Sequence, residues 1–214
     1  MKITKLGYQK KDPNRVNVYV DEKYVAGIDI NDVVKLGIYN GQEISQDELK
    51  KIIGESEFGK LFNSALNFLS YRPRSEWEIR HKLKFKTEDG QLIETVIDKL
   101  KKIGQVNDVD FAKWYIDQRQ TFKPMGRRAV KYELIKKGLI NKTINDTLSE
   151  QEGQIGDKEL AERVAEKFVG RLRKIDYNQE NIPKTKNKLQ RLLASRGFDW
   201  EVIDETVEKY LKKG

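Results

Sequence analysis

Apolar residues recur along this chain with two different periods. Val16, Val18 and Val20 alternate with Asn17 and Tyr19, and after Asp21-Glu22-Lys23 the pattern resumes through Tyr24-Val25-Ala26-Gly27-Ile28. A period of two broken by a polar turn predicts a β-hairpin covered on one face. Ile3 to Tyr8 can add a third strand, and so small a sheet is expected to lean on the helix that follows. Beyond it the period becomes helical. Asn31 or Asp32 can cap a short helix through Val33, Val34 and Leu36, stopped near Gly37. Ser45 and Glu48 form a capping box opening a helix with Leu49, Ile52 and Ile53 inward, expected to end by Gly54.

From Lys60 the helical period is nearly continuous. Leu61, Ala65, Phe68 and Leu69 make one stripe that Arg72-Pro73 ends, because proline disfavours helical geometry in the residue before it. Ser75 and Glu78 form a second capping box, so a helix is expected from Glu76, with Ile79 and Leu83 on its buried side and Arg80 and Lys84 on a neighbouring one. A polar turn, Thr87 to Gly90, leads to Ile93, Val96, Ile97, Leu100 and Ile103 before Gly104.

This three-helix pattern then recurs. With its helices written A, B and C, the B helices align from Ser75, Gly126 and Thr185, placing the apolar pairs Ile79/Leu83, Val130/Leu134 and Leu189/Leu193 in register. The C helices keep the same offsets at Ile93, Ile144 and Ile203. In the A helices Ala65-x-x-Phe68-Leu69, Ala112-x-x-Tyr115-Ile116 and Ala165-x-x-Phe168-Val169 also match. Shared register over three helices predicts tandem repeats, a mainly α fold forming an elongated, curved array behind the small N-terminal sheet. The expected divisions are 1–58, 59–105, 106–152 and 153–214. The third A helix is expected to run to Ile175, and the polar segment Asp176 to Thr185 to be a flexible connection.

Charge sharpens the picture. Charged residues make up 36% of the chain and hydrophobic ones only 37%, which suits thin helical layers better than a thick sheet core. The net charge is +8, and residues 59–150 hold nineteen basic side chains against twelve acidic ones, so the middle of the chain is expected to carry a field that favours an anionic partner. There is no cysteine, which excludes disulfides and thiolate chemistry. No apolar run approaches the roughly eighteen residues of a membrane span, and the N-terminus lacks a signal-peptide pattern, so a cytoplasmic protein is expected.

Catalytic chemistry is poorly represented. Gly54 to Lys60 fits a phosphate loop, but Leu61 stands where the magnesium-binding hydroxyl belongs, so the stretch reads as a helix end and restart. His81, the only histidine, reads as a surface residue. Asp108 and Asp110 could be taken for a metal pair, but Asn107-Asp108 directly before Phe111-Ala112 reads as a helix cap with first-turn acids. No enzyme activity, metal or cofactor is expected. Trp77, Trp114 and Trp200 accompany apolar stripes and read as packing residues. What concentrates is cationic: Arg72, Arg74, Arg80, Lys82, Lys84 and Lys86 in the first unit, and Arg119, Lys123, Arg127, Arg128, Lys131, Lys136 and Lys137 in the second. Arg80 aligns with Lys131, and Arg72 with Arg119. Guanidinium forks pair with phosphates and carboxylates through two hydrogen bonds.

The run Arg72…Ser75-x-x-Glu78-Ile79…Lys82-Leu83, then Gly104-Gln-Val-Asn-Asp108…Phe111-Ala112, then Arg119…Lys123…Gly126-Arg127…Glu133-Leu134…Lys137-Gly138-Leu139 resembles the RecX family of RecA regulators. The likeness covers residues 60–150 well and the third unit loosely, and the N-terminal strands resemble an extension of Gram-positive members. It departs at Gln105, where an aromatic is expected, and at Lys86-Thr87, where a lysine-glycine is expected. The resemblance implies a non-enzymatic inhibitor, acting as a monomer in the groove of the RecA–single-stranded DNA filament. It would restrain ATPase, strand exchange and co-protease activity, and so act in DNA repair, recombination and the SOS response. The residues assigned to filament binding are Arg72, Arg74, Arg80, Lys84, Arg119, Lys123, Arg127, Arg128 and Lys131. Ser75, Glu78, Asp108 and Gly126 are assigned as caps or turns. The alternative is a helical nucleic-acid-binding module that acts independently of RecA.

Overall fold

A computed structural model of the chain describes residues 1–10, 12–151, 156–172 and 182–211. The chain divides into two compact units, Met1–Arg72 with Ile79–Gln105, and Pro73–Glu78 with Val106–Gly214.

The first unit opens with three antiparallel strands in chain order, β1 (Ile3–Tyr8), β2 (Arg15–Val20) and β3 (Lys23–Asp29). Val16, Val18 and Val20 all point inward, as their alternation predicts. Asp21 and Glu22 turn the hairpin with positive φ of 47° and 66°. Such a turn matches the twist of the strands, and Thr4 steadies it by accepting a hydrogen bond from the Glu22 N–H at 2.9 Å. Ile3, Val18, Ala26 and Ile28 form a core with Ile38, Ile44 and Ile52. Helix α1 (Ile30–Lys35) is capped by Asp29, not by Asn31 or Asp32, and stops before Gly37 at φ +62°.

Helix α2 (Gln46–Leu69) corrects the reading of the glycines. The Ser45–Glu48 capping box opens it, but it runs unbroken through Gly54 and Gly59, with no end and restart. Each glycine costs about 1 kcal/mol relative to alanine. Burial of Ile52, Leu61 and Ala65 outweighs that, and Ser56 Oγ donates to the Gly27 carbonyl at 2.9 Å, tying helix to sheet. Residue 58 therefore lies inside a helix, and Ile53 is exposed rather than inward. The rest of this unit is α3 (Glu76–Lys84) from Ile79 onward and α4 (Gly90–Lys102), which packs on α2. Ile79, Leu83, Ile93, Val96, Ile97 and Leu100 are buried, while Ile103, expected on the same stripe, is exposed beyond the helix end.

The second unit holds α5 (Asp108–Phe122), α6 (Arg127–Lys136) and α7 (Asn141–Gln151), then α8 (Asp157–Leu172), α9 (Ile182–Ser195) and α10 (Trp200–Leu211). Each triplet surrounds its own cluster, one built on Phe111, Ile116, Val130, Leu134 and Ile144, the other on Leu160, Val164, Leu189, Leu193 and Ile203. The predicted repeat register is therefore the register of burial. Helix α9 starts three residues before Thr185, with Pro183 in its first turn, where a missing N–H costs nothing. The expected connection over 176–181 and the end of the third A helix at Ile175 lie outside the described residues.

Successive triplets are joined by backbone contacts that leave no room for a side chain. A Cβ on Gly126 would meet the Gly197 carbonyl oxygen at 2.4 Å, and the Gly126 N–H donates to the Arg196 carbonyl at 2.9 Å. Gly138, at φ +83°, lies directly under Trp77.

Candidate functional site

The nine candidate cations divide between the units, with Arg72, Arg80 and Lys84 in the first and the others in the second. Arg80 uses its fork internally. Its Nε donates to Glu94 Oε1 at 3.0 Å and its Nη2 pairs with Glu94 Oε2, so α3 is clasped to α4. Lys84 is exposed and has no carboxylate within ion-pair reach among the described residues. Arg72 is half-buried just past the end of α2. His81 sets its ring edge-on to Phe85, 5.1 Å between centroids.

In the second unit Arg119 is caged. Its Nε meets Glu133 Oε2 at 2.6 Å, its Nη2 donates to the Tyr115 hydroxyl at 2.6 Å, and that hydroxyl donates to Glu133 at 2.9 Å. The guanidinium carbon also lies 4.7 Å from the Tyr115 ring centroid. Burial, then the bond to Glu133, pushes the Tyr115 phenol above its ordinary value. Burial pulls the Arg119 guanidinium down, but the bonds to Glu133 and Tyr115 outweigh it and the net shift is upward. Lys131 Nζ donates to Asn145 Oδ1 at 3.0 Å, and Arg127 Nη2 to Ser149 Oγ at 3.3 Å. Arg128 pairs with Asp199 at 3.4 Å with both side chains mostly exposed, which is worth little. Lys123 is exposed past the end of α5, and Arg74 is half-buried.

The residues assigned as caps fall on the joints. Ser75 and Glu78 exchange backbone bonds at the start of α3: the Glu78 N–H reaches Ser75 Oγ at 3.1 Å, and the Ser75 N–H reaches Glu78 Oε2 at 3.4 Å. Ser75 Oγ donates onward to the Lys137 carbonyl at 2.7 Å, and Lys137 Nζ pairs with the buried Glu78 carboxylate at 2.6 Å. Asp108 accepts from the Glu76 N–H at 2.9 Å, and Asp157 accepts from the Arg127 N–H at 3.1 Å. The first acid of each following A helix thus satisfies an open amide of the preceding B helix. Gly126 makes no side-chain cap.

Sequence reasoning missed the partners. Arg80–Glu94, Lys131–Asn145 and Gln190–Asp204 are one clasp, repeated at a separation of fourteen residues between B and C helices. That spacing is written in the chain once the repeat is aligned. It also explains why Arg80 and Lys131 align: both carry a bond internal to the fold. Trp114 packs in its cluster and Trp77 lies over Gly138, as packing residues should, whereas Trp200 is 64% exposed. Among the described residues no three His, Asp or Glu side chains converge as metal ligands, and no helix is long and apolar enough to cross a membrane.

A small N-terminal sheet followed by tandem three-helix domains, joined through capped helix starts and glycine contacts, defines a class of helical-repeat protein. Residues 1–45 match the regulatory protein RecX N-terminal domain, and residues 62–100, 107–148 and 157–207 match the first, second and third three-helix domains of RecX. The chain is 33% identical over 209 residues to the regulatory protein RecX of Clostridioides difficile (strain 630), covering 98% of this chain and 95% of that one. It is 34% identical over 208 residues to that of Clostridium perfringens (strain SM101 / Type A), covering 97% and 95%. A crystal structure of a regulatory protein RecX superposes with a TM-score of 0.71 at 25% identity, covering 96% of this chain and 98% of that one. RecX from Lactobacillus salivarius superposes with a TM-score of 0.58 at 27% identity, covering 72% and 96%. The chain belongs to the RecX family.

Proposed function

We propose that this protein is a non-enzymatic modulator of RecA that acts in the cytoplasm as a monomer. It lodges in the groove of the RecA–single-stranded DNA filament and restrains ATP hydrolysis, strand exchange and co-protease activity. The observation that carries this reading is the near full-length match to proteins named regulatory protein RecX. The cationic B-helix edges support it, since a DNA-bearing filament attracts positive charge.

The nine candidates contribute unequally in this reading. Lys84, Lys123 and Arg128 are exposed and lightly held, so their charge is available to a partner at little structural cost. Arg72, Arg74, Arg80, Arg127 and Lys131 present their outer edges from half-buried positions. Arg119 acts by holding the A–B corner rather than by contact.

Two measurements test the proposal. Substoichiometric amounts of the protein should depress RecA's single-stranded-DNA-dependent ATPase, and an unchanged rate at equimolar protein would refute it. The triple variant Lys84→Glu/Lys123→Glu/Arg128→Glu should need at least tenfold more protein for half-inhibition while keeping its helical circular dichroism and melting temperature; inhibition at the wild-type level would remove these residues from the contact.

A further inference from the structure

The first unit carries a second basic surface that the B-helix cations do not include. A cavity of about 480 Å³ opens between the start of β2, the C-terminal part of α2 from Lys60 onward and the end of α3 with the turn after it, and its wall bears Arg15, Lys60, Lys82 and Lys86 with no carboxylate. Along α2, Lys60, Asn63 and Asn67 fall at spacings of three and four, which places them on one face. Arg15 is fixed in direction by its guanidinium bond to the Gly27 carbonyl. Lys82 stands 5.8 Å over the Phe68 ring. Lys60 and Lys86 have no carboxylate within ion-pair reach among the described residues. They also wall an adjoining cavity of about 590 Å³, in which Glu57 is the single acid. An aromatic side chain lines each part of the combined trough, Tyr71, 84% exposed, in the first and Phe85, 78% exposed, in the second.

Four cations gathered around two amides are a strong attractor for phosphate. Large aromatic faces left in water beside them need a further reason, since each forgoes burial that a core position would supply. Unpaired bases supply it. Single-stranded nucleic acid offers a phosphate for each cation and a π-face for each ring, whereas a duplex hides its base faces and an acidic peptide makes no use of them. We infer that this trough binds single-stranded nucleic acid directly, its phosphates on Arg15, Lys60, Lys82 and Lys86 and its bases stacked on Tyr71 and Phe85, with Asn63 and Asn67 donating to strand oxygens. This deepens the reading of the protein as a filament modulator by naming a contact for the strand itself.

The test omits RecA, so its failure is separable from failure of that reading. Fluorescence anisotropy of the full-length protein with a labelled oligothymidylate should show salt-sensitive binding. Lys60→Glu/Lys86→Glu should weaken it at least tenfold and flatten the salt dependence by about 1.4 in log–log slope, roughly 0.7 for each of two phosphates. Tyr71→Ala should weaken it about fivefold or more with the salt slope unchanged, as lost stacking requires. A charge-matched pair elsewhere, Lys142→Glu/Lys167→Glu, should bind as the wild type does. Lys60→Gln/Lys86→Gln, checked by circular dichroism, gives an intermediate loss and stands in if the glutamates disturb the fold. Absent binding, equal weakening by both glutamate pairs, or displacement by polyglutamate as effective as by unlabelled oligothymidylate would each overturn the inference.

Discussion

Arg119 shows how a cation that looks like a ligand contact at the end of a helix becomes a structural part. Its carboxylate partner Glu133 and hydroxyl partner Tyr115 are themselves partly buried, and the side chains of Arg119 and Glu133 are only 28% and 26% exposed. Removing the guanidinium leaves Glu133 desolvated and short of a donor, so Arg119→Ala should cost about 1–3 kcal/mol in urea unfolding, and Glu133→Gln, which keeps an acceptor, less. A variant as stable as the wild type would return Arg119 to the list of available surface charges. Tyr210 gives a pH test. Burial, then its bond to Glu166, pushes the phenol from an ordinary 10.0 up to about 12. Because the neutral form is favoured in the folded protein, this contribution is complete below pH 10 and is lost as pH rises from 10 to about 12. Stability should therefore fall across that window in the wild type more steeply than in Tyr210→Phe, and phenolate absorbance should show a late-titrating tyrosine that Tyr210→Phe removes. Tyr115 lies one turn before Arg119, but Glu133 and Glu166 are not legible near their partners, because a side-chain cage depends on where the next helix returns. The capping boxes at Ser45 and Ser75 were legible because both partners lie within one turn.

Helices were readable here in proportion to how regular their stripe is. The four-residue apolar spacings of α3, α6 and α9 predicted burial correctly in all three repeats, down to full burial of Leu83, Leu134 and Leu193. Helix α2 was misread because propensity counts two glycines as stops, and only tertiary contacts with the sheet, absent from any local pattern, decide otherwise. A substitution measures the difference. A Cβ at Gly59 would meet nothing within 4 Å, so Gly59→Ala should raise stability by about 0.5–1 kcal/mol, read as an increased urea midpoint at constant slope. Gly126 should behave in the opposite sense: alanine there collides with the Gly197 backbone, and Gly126→Ala should lose about 1–3 kcal/mol as α6 is pushed away from the turn before α10. Departure from the family pattern at Thr87 has a local answer. Gly138 and Gly197 end their B helices with positive φ, whereas Thr87 does not, and the Lys86 and Thr87 N–H groups both close on the Leu83 carbonyl instead. The first B helix therefore ends on a different turn, one a β-branched residue can adopt.

For the molecule as a whole, the fold shares out a charge that chain order concentrates. The surplus that reading along the sequence assigns to residues 59–150 is divided by the fold: the first compact unit holds eighteen basic and fourteen acidic side chains, the second twenty-four and twenty, so each carries +4. Neither unit has a monopoly on anion attraction, and binding sites must be argued from local arrangement instead. The same modularity governs stability within the second unit. Leu134 and Leu193 occupy equivalent B-helix positions, are fully buried, and belong to clusters that share no residue. Leu134→Ala and Leu193→Ala should each cost about 2–5 kcal/mol, the usual range for a lost leucine and the cavity left behind. Separate clusters make the costs additive within about 0.5 kcal/mol, whereas a single continuous core would let one cavity relax into the other and make the double variant milder than the sum. The joints at Gly126–Gly197 and Arg127–Asp157 run through backbone N–H groups, a carboxylate and a close glycine contact, and beside them Val130 and Leu148 of one triplet line a cavity with Leu160 of the other. A double-variant cost more than about 1 kcal/mol below the sum, measured by urea unfolding, would show that the triplets share a core.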